Sequence, residues 1–372
     1  MTGWRRVALL LFAIGWGANH FVALLLMYRT RLSLDAAAPA ILLGIYALGL
    51  VPGLLLSGPL SDRLGRRAIV VPGAVIALAG TAVLGAGGDS FFLLLLGRLI
   101  YGLGCGLVMN PGSVWVLELS GDAAGGSGAR RATIALSAGF GFGPLLSGAL
   151  AQYAPAPTVL PYAAHAVALI VAIAIGAGAP GGRASGARGP LLRIGLDHTN
   201  RGTFFGGIAP MAPFVFAFPA IAFATLPAML GSATPAYIGV VAAISLASGV
   251  LAQPVTRRFS PAVSARLGLV LGAAGCSLGM VMVALQLAPL LLVCAAILGA
   301  GYGICMTAGL RRVELCAQPA TRGGLTGFYL VLTYVGFVAP WLIAHATRHL
   351  APEPVLAIVG GLALGAAAVL RD

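Results

Sequence analysis

Twelve uninterrupted apolar runs of about twenty residues each, separated by short polar breaks, leave this chain few ways to fold. The hydrocarbon layer of a bilayer is ~30 Å thick, and a helix rising ~1.5 Å per residue needs about 20 apolar residues to cross it. The runs fall at 7–28, 39–59, 68–87, 90–114, 132–152, 158–178, 204–229, 235–254, 267–285, 288–310, 324–345 and 354–370. They are too long and too evenly apolar for barrel strands, which alternate and close on themselves. Hydrophobic residues make up 59% of the 372, and mean hydropathy is +1.00. A soluble domain holds roughly 45–50%, so the excess faces lipid. The expected fold is an all-α membrane protein of twelve transmembrane helices.

Charge sets the orientation. The formal net charge is +13, and every basic residue is arginine. With the N-terminus placed in the cytoplasm, all arginines lie on the inner side except Arg29, Arg31, Arg348 and the intramembrane Arg98. Positive residues gather in cytoplasmic loops, so both termini are expected there. Arginines distributed over alternate loops do not form the aromatic-bearing basic face that nucleic acid requires. The first run opens on Arg5 and Arg6 like a signal peptide, but it is longer than an h-region and has no cleavage site after it; it reads as a retained helix. The five cysteines show no C-x-x-C spacing, so neither a disulfide framework nor a zinc site is expected.

The stretch 180–202, PGGRASGARGPLLRIGLDHTNRG, lies at mid-chain and reads as a linker. It divides the chain into an N-terminal six-helix bundle (1–178), a cytoplasmic linker (179–203) and a C-terminal six-helix bundle (204–372). The halves are related in sequence. G-x-G-x-G-x-x-M-x-x-G occurs at Gly102, Gly104, Gly106, Met109 and Gly112, and again at Gly299, Gly301, Gly303, Met306 and Gly309. Two pseudo-symmetric bundles with a substrate path between them are a transporter design.

Three motifs identify a family. Gly58, Leu60, Asp62, Arg63, Gly65, Arg66 and Arg67 spell G-x-L-x-D-R-x-G-R-R between the second and third runs. This resembles the loop 2–3 signature of the major facilitator superfamily. The resemblance implies an inner latch, with Glu118 at the end of the fourth run as a partner for Arg66 or Arg67. Asp62 also lies near the start of the third helix, where partial positive charge favours an anion. Gly97-Arg98-x-x-x-Gly102-x-Gly104 resembles the fourth-helix motif of proton-coupled members of that superfamily, whose arginine is tied to proton transfer. Gly139-x-x-x-Gly143-Pro144-x-x-Ser147-Gly148 resembles the antiporter motif of drug-exporting members, with Ser147 in place of a glycine. The other reading of that segment is plain small-residue helix packing.

Arg98 is the one basic residue within a run, and it needs a polar partner, since an arginine at the bilayer centre costs at least ~2.5–3.5 kcal/mol. It lies about 12 Å below the outer start of its helix. His20 and Asn19 in the first run lie at similar depth, so Arg98, His20 and Asn19 are expected to form a central-cavity cluster. The first run has no carboxylate, and His20 is the candidate proton carrier because imidazole titrates near neutrality. A hydrogen-bonded packing role is the alternative. His165 has comparable depth, but its span is peripheral in the family fold and it reads as structural. His345 and His349 are spaced i, i+4 without the glutamate of H-E-x-x-H, so no metal site is expected. Aromatic residues of the seventh and eleventh runs admit either a binding wall or packing.

The function expected from these features is secondary transport by alternating access: proton-coupled efflux of small hydrophobic or amphipathic molecules from the bacterial inner membrane. Two alternatives stay open, a proton-coupled metabolite importer and an uncoupled facilitator. The partners are a small-molecule substrate, protons and lipid, the protein acts as a monomer, and neither a cofactor nor an enzymatic activity is expected.

Overall fold

A computed structural model describes residues 2–35, 37–121, 127–181, 196–198, 200–231, 233–318 and 322–371. Among these residues every regular element is helical, and twelve helices are long and apolar enough to cross a membrane. The chain is a multi-pass membrane protein. In order, spans 1–6 are Gly3–Arg31, Ala38–Leu64, Arg66–Ala86, Phe91–Leu119, Ser127–Tyr153 and Leu160–Ala177. Spans 7–12 are Arg201–Leu230, Pro235–Arg258, Pro261–Leu285, Leu290–Cys316, Gly324–Ala346 and Pro352–Val369. Large apolar side chains such as Leu48, Phe92, Val167 and Leu251 point outward, as lipid-facing residues do.

Several helices outrun their apolar stretch. Span 2 continues to Leu64, span 9 begins at Pro261 and span 10 ends at Cys316, about one turn or more past the apolar limits. Hydropathy marks where the hydrocarbon ends, whereas a helix keeps satisfying its own backbone beyond that plane. One consequence concerns the 58–67 signature. Seven of its residues complete span 2, and only Gly65 stands outside helical structure before span 3 starts at Arg66. Gly65 has φ 90° and ψ 154°, a region that costs an L-residue roughly 1–3 kcal/mol. Gly65→Ala is therefore expected to lower stability by that amount in thermal unfolding. Gly58→Ala, within a helix and with nothing within 4 Å of the added Cβ, is expected to raise it by up to about 1 kcal/mol through helix propensity.

Contacts divide the chain into two compact units, Met1–Ser33 with Leu42–Leu192, and Leu34–Ile41 with Arg193–Asp372. The short segment 34–41 groups with the second unit. Residues 182–195 and 199, most of the expected linker, lie outside the described residues.

The repeated glycine motif explains how each unit is built. Along a helix, positions i and i+4 differ by about 40° and i+2 by about 200°. Gly102 and Gly106 accordingly face span 2, against the carbonyls of Tyr46 and Leu50, while Gly104 faces span 3 at Gly73 and Ala77. In the second unit Gly299 and Gly303 face span 8 at Ser245 and Gly249, and Gly301 faces span 9, 2.8 Å from the Gly268 oxygen for an added Cβ. Spans 4 and 10 are wedges that bring three backbones into contact.

Span 8 ends on a 3-10 turn at Gln253–Arg258, and three other spans change helix type along their length. Span 1 tightens to a 3-10 helix at His20–Leu24, span 7 widens to a π-helix at Ile221–Thr225, and span 11 tightens at Val335–Val338. Pro227 has no N–H for the Phe223 carbonyl, and Pro340 none for that of Gly336, so the last two breaks sit where helix bonding is lost. Span 1 has no proline; its tightened turn follows the Ala18 carbonyl, which Arg98 engages.

Candidate functional site

The 58–67 residues form a charged staple at one end of the first unit. Arg66 Nη1 lies 2.5 Å from Asp62 Oδ1, one turn back on span 2, and 2.8 Å from Ser61 Oγ. Its Nε donates to Glu118 Oε1 on span 4 at 3.1 Å. Of the two arginines that the sequence offers Glu118, the structure pairs Arg66 with it. The Arg66 side chain is 13% exposed, against 47% for Asp62. Arg67 is exposed and Arg63 half-buried. One guanidinium thus ties the ends of spans 2 and 4 from the first residue of span 3, an arrangement the single-residue turn at Gly65 makes possible.

Deeper in the same unit lies a buried polar cluster. Arg98 is 1% exposed. It donates through Nε to the Leu42 carbonyl at 3.2 Å and through Nη1 to the Ala18 carbonyl at 3.3 Å. Its guanidinium carbon lies 4.2 Å from the Tyr46 ring centre and 5.0 Å from that of Phe21, so aromatic faces and carbonyl dipoles take the place of a carboxylate. The four acidic side chains of spans 1–6 and their described connections, Asp35, Asp62, Asp89 and Glu118, lie at helix ends in arginine pairs.

His20 is fully buried, and neither ring nitrogen has a hydrogen-bond partner among the described residues. Its ring centre is 4.8 Å from that of His165, 5.0 Å from Tyr162 and 6.0 Å from Tyr101. Asn19 is half-buried at the start of the 3-10 turn, and its side chain caps nothing there. The expected grouping is thus looser than a hydrogen-bonded triad: Arg98 grips the Ala18 carbonyl just before the 3-10 turn, while His20 turns toward spans 4 and 6.

Two features of this cluster were not legible in the sequence. His165 belongs to it, because span 6 packs on spans 1 and 3: its Nε2 meets the Ala13 carbonyl at 3.0 Å and its Nδ1 meets Thr81 Oγ1 at 3.0 Å. Three tyrosines also join. Tyr101 donates to the Ile14 carbonyl at 2.8 Å, and Tyr28 and Tyr162 share a hydrogen bond of 3.1 Å. The only sequence signal for these partners is depth, and depth does not say which way a side chain points.

The 139–148 segment lies in span 5, with Gly139, Gly143, Pro144, Ser147 and Gly148 all buried. A Cβ at Gly139 would strike the Phe12 carbonyl and one at Gly143 that of Trp16, while Gly15 answers from span 1 against Leu136. Reciprocal glycines seat spans 1 and 5 backbone to backbone. That contact accounts for the glycines without reference to direction of transport. In the second unit, Phe216 stacks on Tyr334 at 4.5 Å and on Phe337 at 5.2 Å.

Residues 7–190 match the profile of the Major Facilitator Superfamily. The glucose transporter GlcP of Staphylococcus epidermidis is 33% identical over 96 residues, 26% of this chain and 21% of that protein. The human proton myo-inositol cotransporter is 31% identical over 109 residues, 29% of this chain and 17% of that protein. The chain thus spans about a fifth of the length of the curated relatives it matches. A solved peptide transporter of the POT family superposes with TM-score 0.82 at 15% identity, covering 99% of this chain and 93% of that one. The nucleoside transporter NupG superposes with TM-score 0.77 at 13% identity, covering 99% of this chain and all of the other. At such identities the likeness is one of fold alone.

Proposed function

We propose that this chain, whose residues 7–190 match the Major Facilitator Superfamily, is a secondary transporter that moves a small uncharged solute by alternating access of its two bundles. Proton binding in the Arg98–His20 neighbourhood drives the movement. The observation that carries the coupling is His20, whose two buried nitrogens lack partners. An unsatisfied buried polar group costs about 1–3 kcal/mol, a penalty that a packing residue gains nothing by keeping. A group that takes up and releases a proton does gain by it.

The class of solute follows from charge. Within spans 7–12 the acidic residues are Glu314 and Glu353, both close to helix ends, so mid-membrane there is nothing to neutralise a strongly cationic cargo. Relatives described as glucose and myo-inositol transporters make polyhydroxylated solutes the first to test. Efflux of hydrophobic or amphipathic molecules is the second reading, favoured by the resemblance of residues 139–148 to the antiporter motif. The staple around Arg66 serves as the inner latch in either direction.

Proteoliposomes with an imposed pH gradient separate these readings. Glucose, myo-inositol and a panel of amphipathic dyes are offered in turn, with Arg98→Ala as the control. Uptake of a polyol with the proton flow, lost in Arg98→Ala, is the expected result. Dye movement against the proton flow would make the protein an exporter. Flux indifferent to the gradient would overturn proton coupling and leave a facilitator.

A further inference from the structure

The sequence places His165 in a span expected at the periphery, yet its ring sits between spans 1, 3 and 4 with both nitrogens engaged. The Ala13 carbonyl can only accept, so Nε2 carries a hydrogen, and in neutral His165 Nδ1 is then bare. Thr81 supplies the hydrogen that Nδ1 needs, across 3.0 Å. The same hydroxyl oxygen is 3.1 Å from the Ala77 carbonyl, a second acceptor that one hydrogen cannot serve at the same time.

From this geometry we infer that His165 is a proton-binding residue, with Thr81 as its two-position partner. When a proton arrives at Nδ1, the new N–H donates to Thr81 Oγ1. The hydroxyl hydrogen rotates away to the Ala77 carbonyl. The neutral state has two hydrogen bonds to and from the ring, and the cationic state keeps both nitrogens bonded while the threonine finds a new acceptor. Neither state leaves a polar atom of the ring or the hydroxyl unpaired. A histidine that only fills space needs one such arrangement, not two.

The surroundings decide when the proton binds. From span 1 the ring meets Trp16 and His20, and from span 4 Tyr101, while Tyr162 of its own helix lies against His20. The charged group of the neighbourhood is Arg98, and no carboxylate of spans 1–6 reaches the cluster among the described residues. A second positive charge is opposed while the cluster is closed and dry. Water entering the cluster removes that opposition, and the prepared partners then hold the proton. Protonation and opening are linked in this way. The inference rests on the proton-coupled reading above and adds His165 to His20 as a proton-binding residue of the same cluster.

Histidine resonances of the full chain, labelled with nitrogen-15 and held in lipid nanodiscs, test it directly. There are five histidines, assigned with His165→Gln and His20→Gln. The expected result is a single Nε2–H tautomer for His165 at high pH that converts to imidazolium as pH falls. Thr81→Val, which keeps the shape and removes the hydroxyl, is expected to lower the midpoint by about one pH unit, tenfold in proton affinity. A His165 that stays neutral until the protein unfolds would overturn the inference, as would an unchanged midpoint in Thr81→Val. Polyol flux indifferent to a pH gradient, with His165 still titrating, would sink the coupling and leave this site standing. Gradient-driven flux with a silent His165 would sink this inference alone.

Discussion

Gly303→Ala is expected to cost the folded protein about 2 kcal/mol net. An alanine Cβ at this position lands on the carbonyl oxygen of Gly249 in span 8. Overpacking costs run to ~3 kcal/mol or more when the obstacle cannot move, and here the obstacle is the backbone of a packed helix. Alanine recovers up to about 1 kcal/mol of helix propensity over glycine, too little to offset the clash. Gly106→Ala, which meets the Leu50 carbonyl in the first unit, is expected to behave alike. Gly361→Ala supplies the opposite sign. Nothing lies within 4 Å of a Cβ there, so only the propensity gain remains. Thermal unfolding of the three variants in one detergent, followed by loss of monodisperse protein, reads the difference directly. Equal midpoints for Gly303→Ala and Gly361→Ala would mean that span 10 is not the wedge described.

Arg66→Leu is expected to reduce substrate flux at least about tenfold, roughly 1.4 kcal/mol in barrier terms, with Arg67→Ala close to the parent. Arg66 is mostly buried and joins Asp62 on span 2 to Glu118 on span 4. Arg67, next in sequence, is exposed. Removing Arg66 leaves two carboxylates that had shared one cation. The stability loss is modest, about 1–2 kcal/mol, because both carboxylates are partly solvated and exposed pairs are screened. The larger effect falls on transport, because the residues at the joint of spans 2, 3 and 4 lose their common anchor. Arg66→Leu combined with Glu118→Leu removes the orphaned acid and is expected to recover stability without flux. A double variant as unstable as the single one would show that the orphaned Glu118 is not what destabilises Arg66→Leu.

Much of this architecture was legible in the residues. Apolar run length fixed the number of spans, because the bilayer thickness is a ruler that every helix must meet. The ends were less legible. Span 2 runs through Asp62 and Arg63 to Leu64, since a helix needs internal hydrogen bonds and not apolar side chains. The G-x-G-x-G repeats announced close packing, and their alternation around the helix axis indicated two partner helices on opposite faces. Which helices those are depended on the fold.

The polar cluster shows the limit more sharply. Depth along a helix is additive in sequence, so Arg98 and His20 were placed at one level by counting residues. Rotation about the helix axis and the choice of neighbour are not additive, because they depend on how all six helices of the unit pack. His165, at a similar depth, therefore could not be assigned to the cluster by counting, although span 6 brings it to the Ala13 carbonyl and to Thr81. Asn19 lies beside the 3-10 turn of span 1, and Arg98 takes the Ala18 carbonyl ahead of it. The sequence alone determined a twelve-span membrane protein with a charged staple and a buried arginine, because bilayer thickness, charge asymmetry and motif spacing are read along the chain. Only the tertiary structure decided that Arg98 has aromatic faces and carbonyls for partners in place of an acid. It also decided that two histidines share one buried cluster. Those facts depend on which faces meet, and that is settled by packing across distant segments.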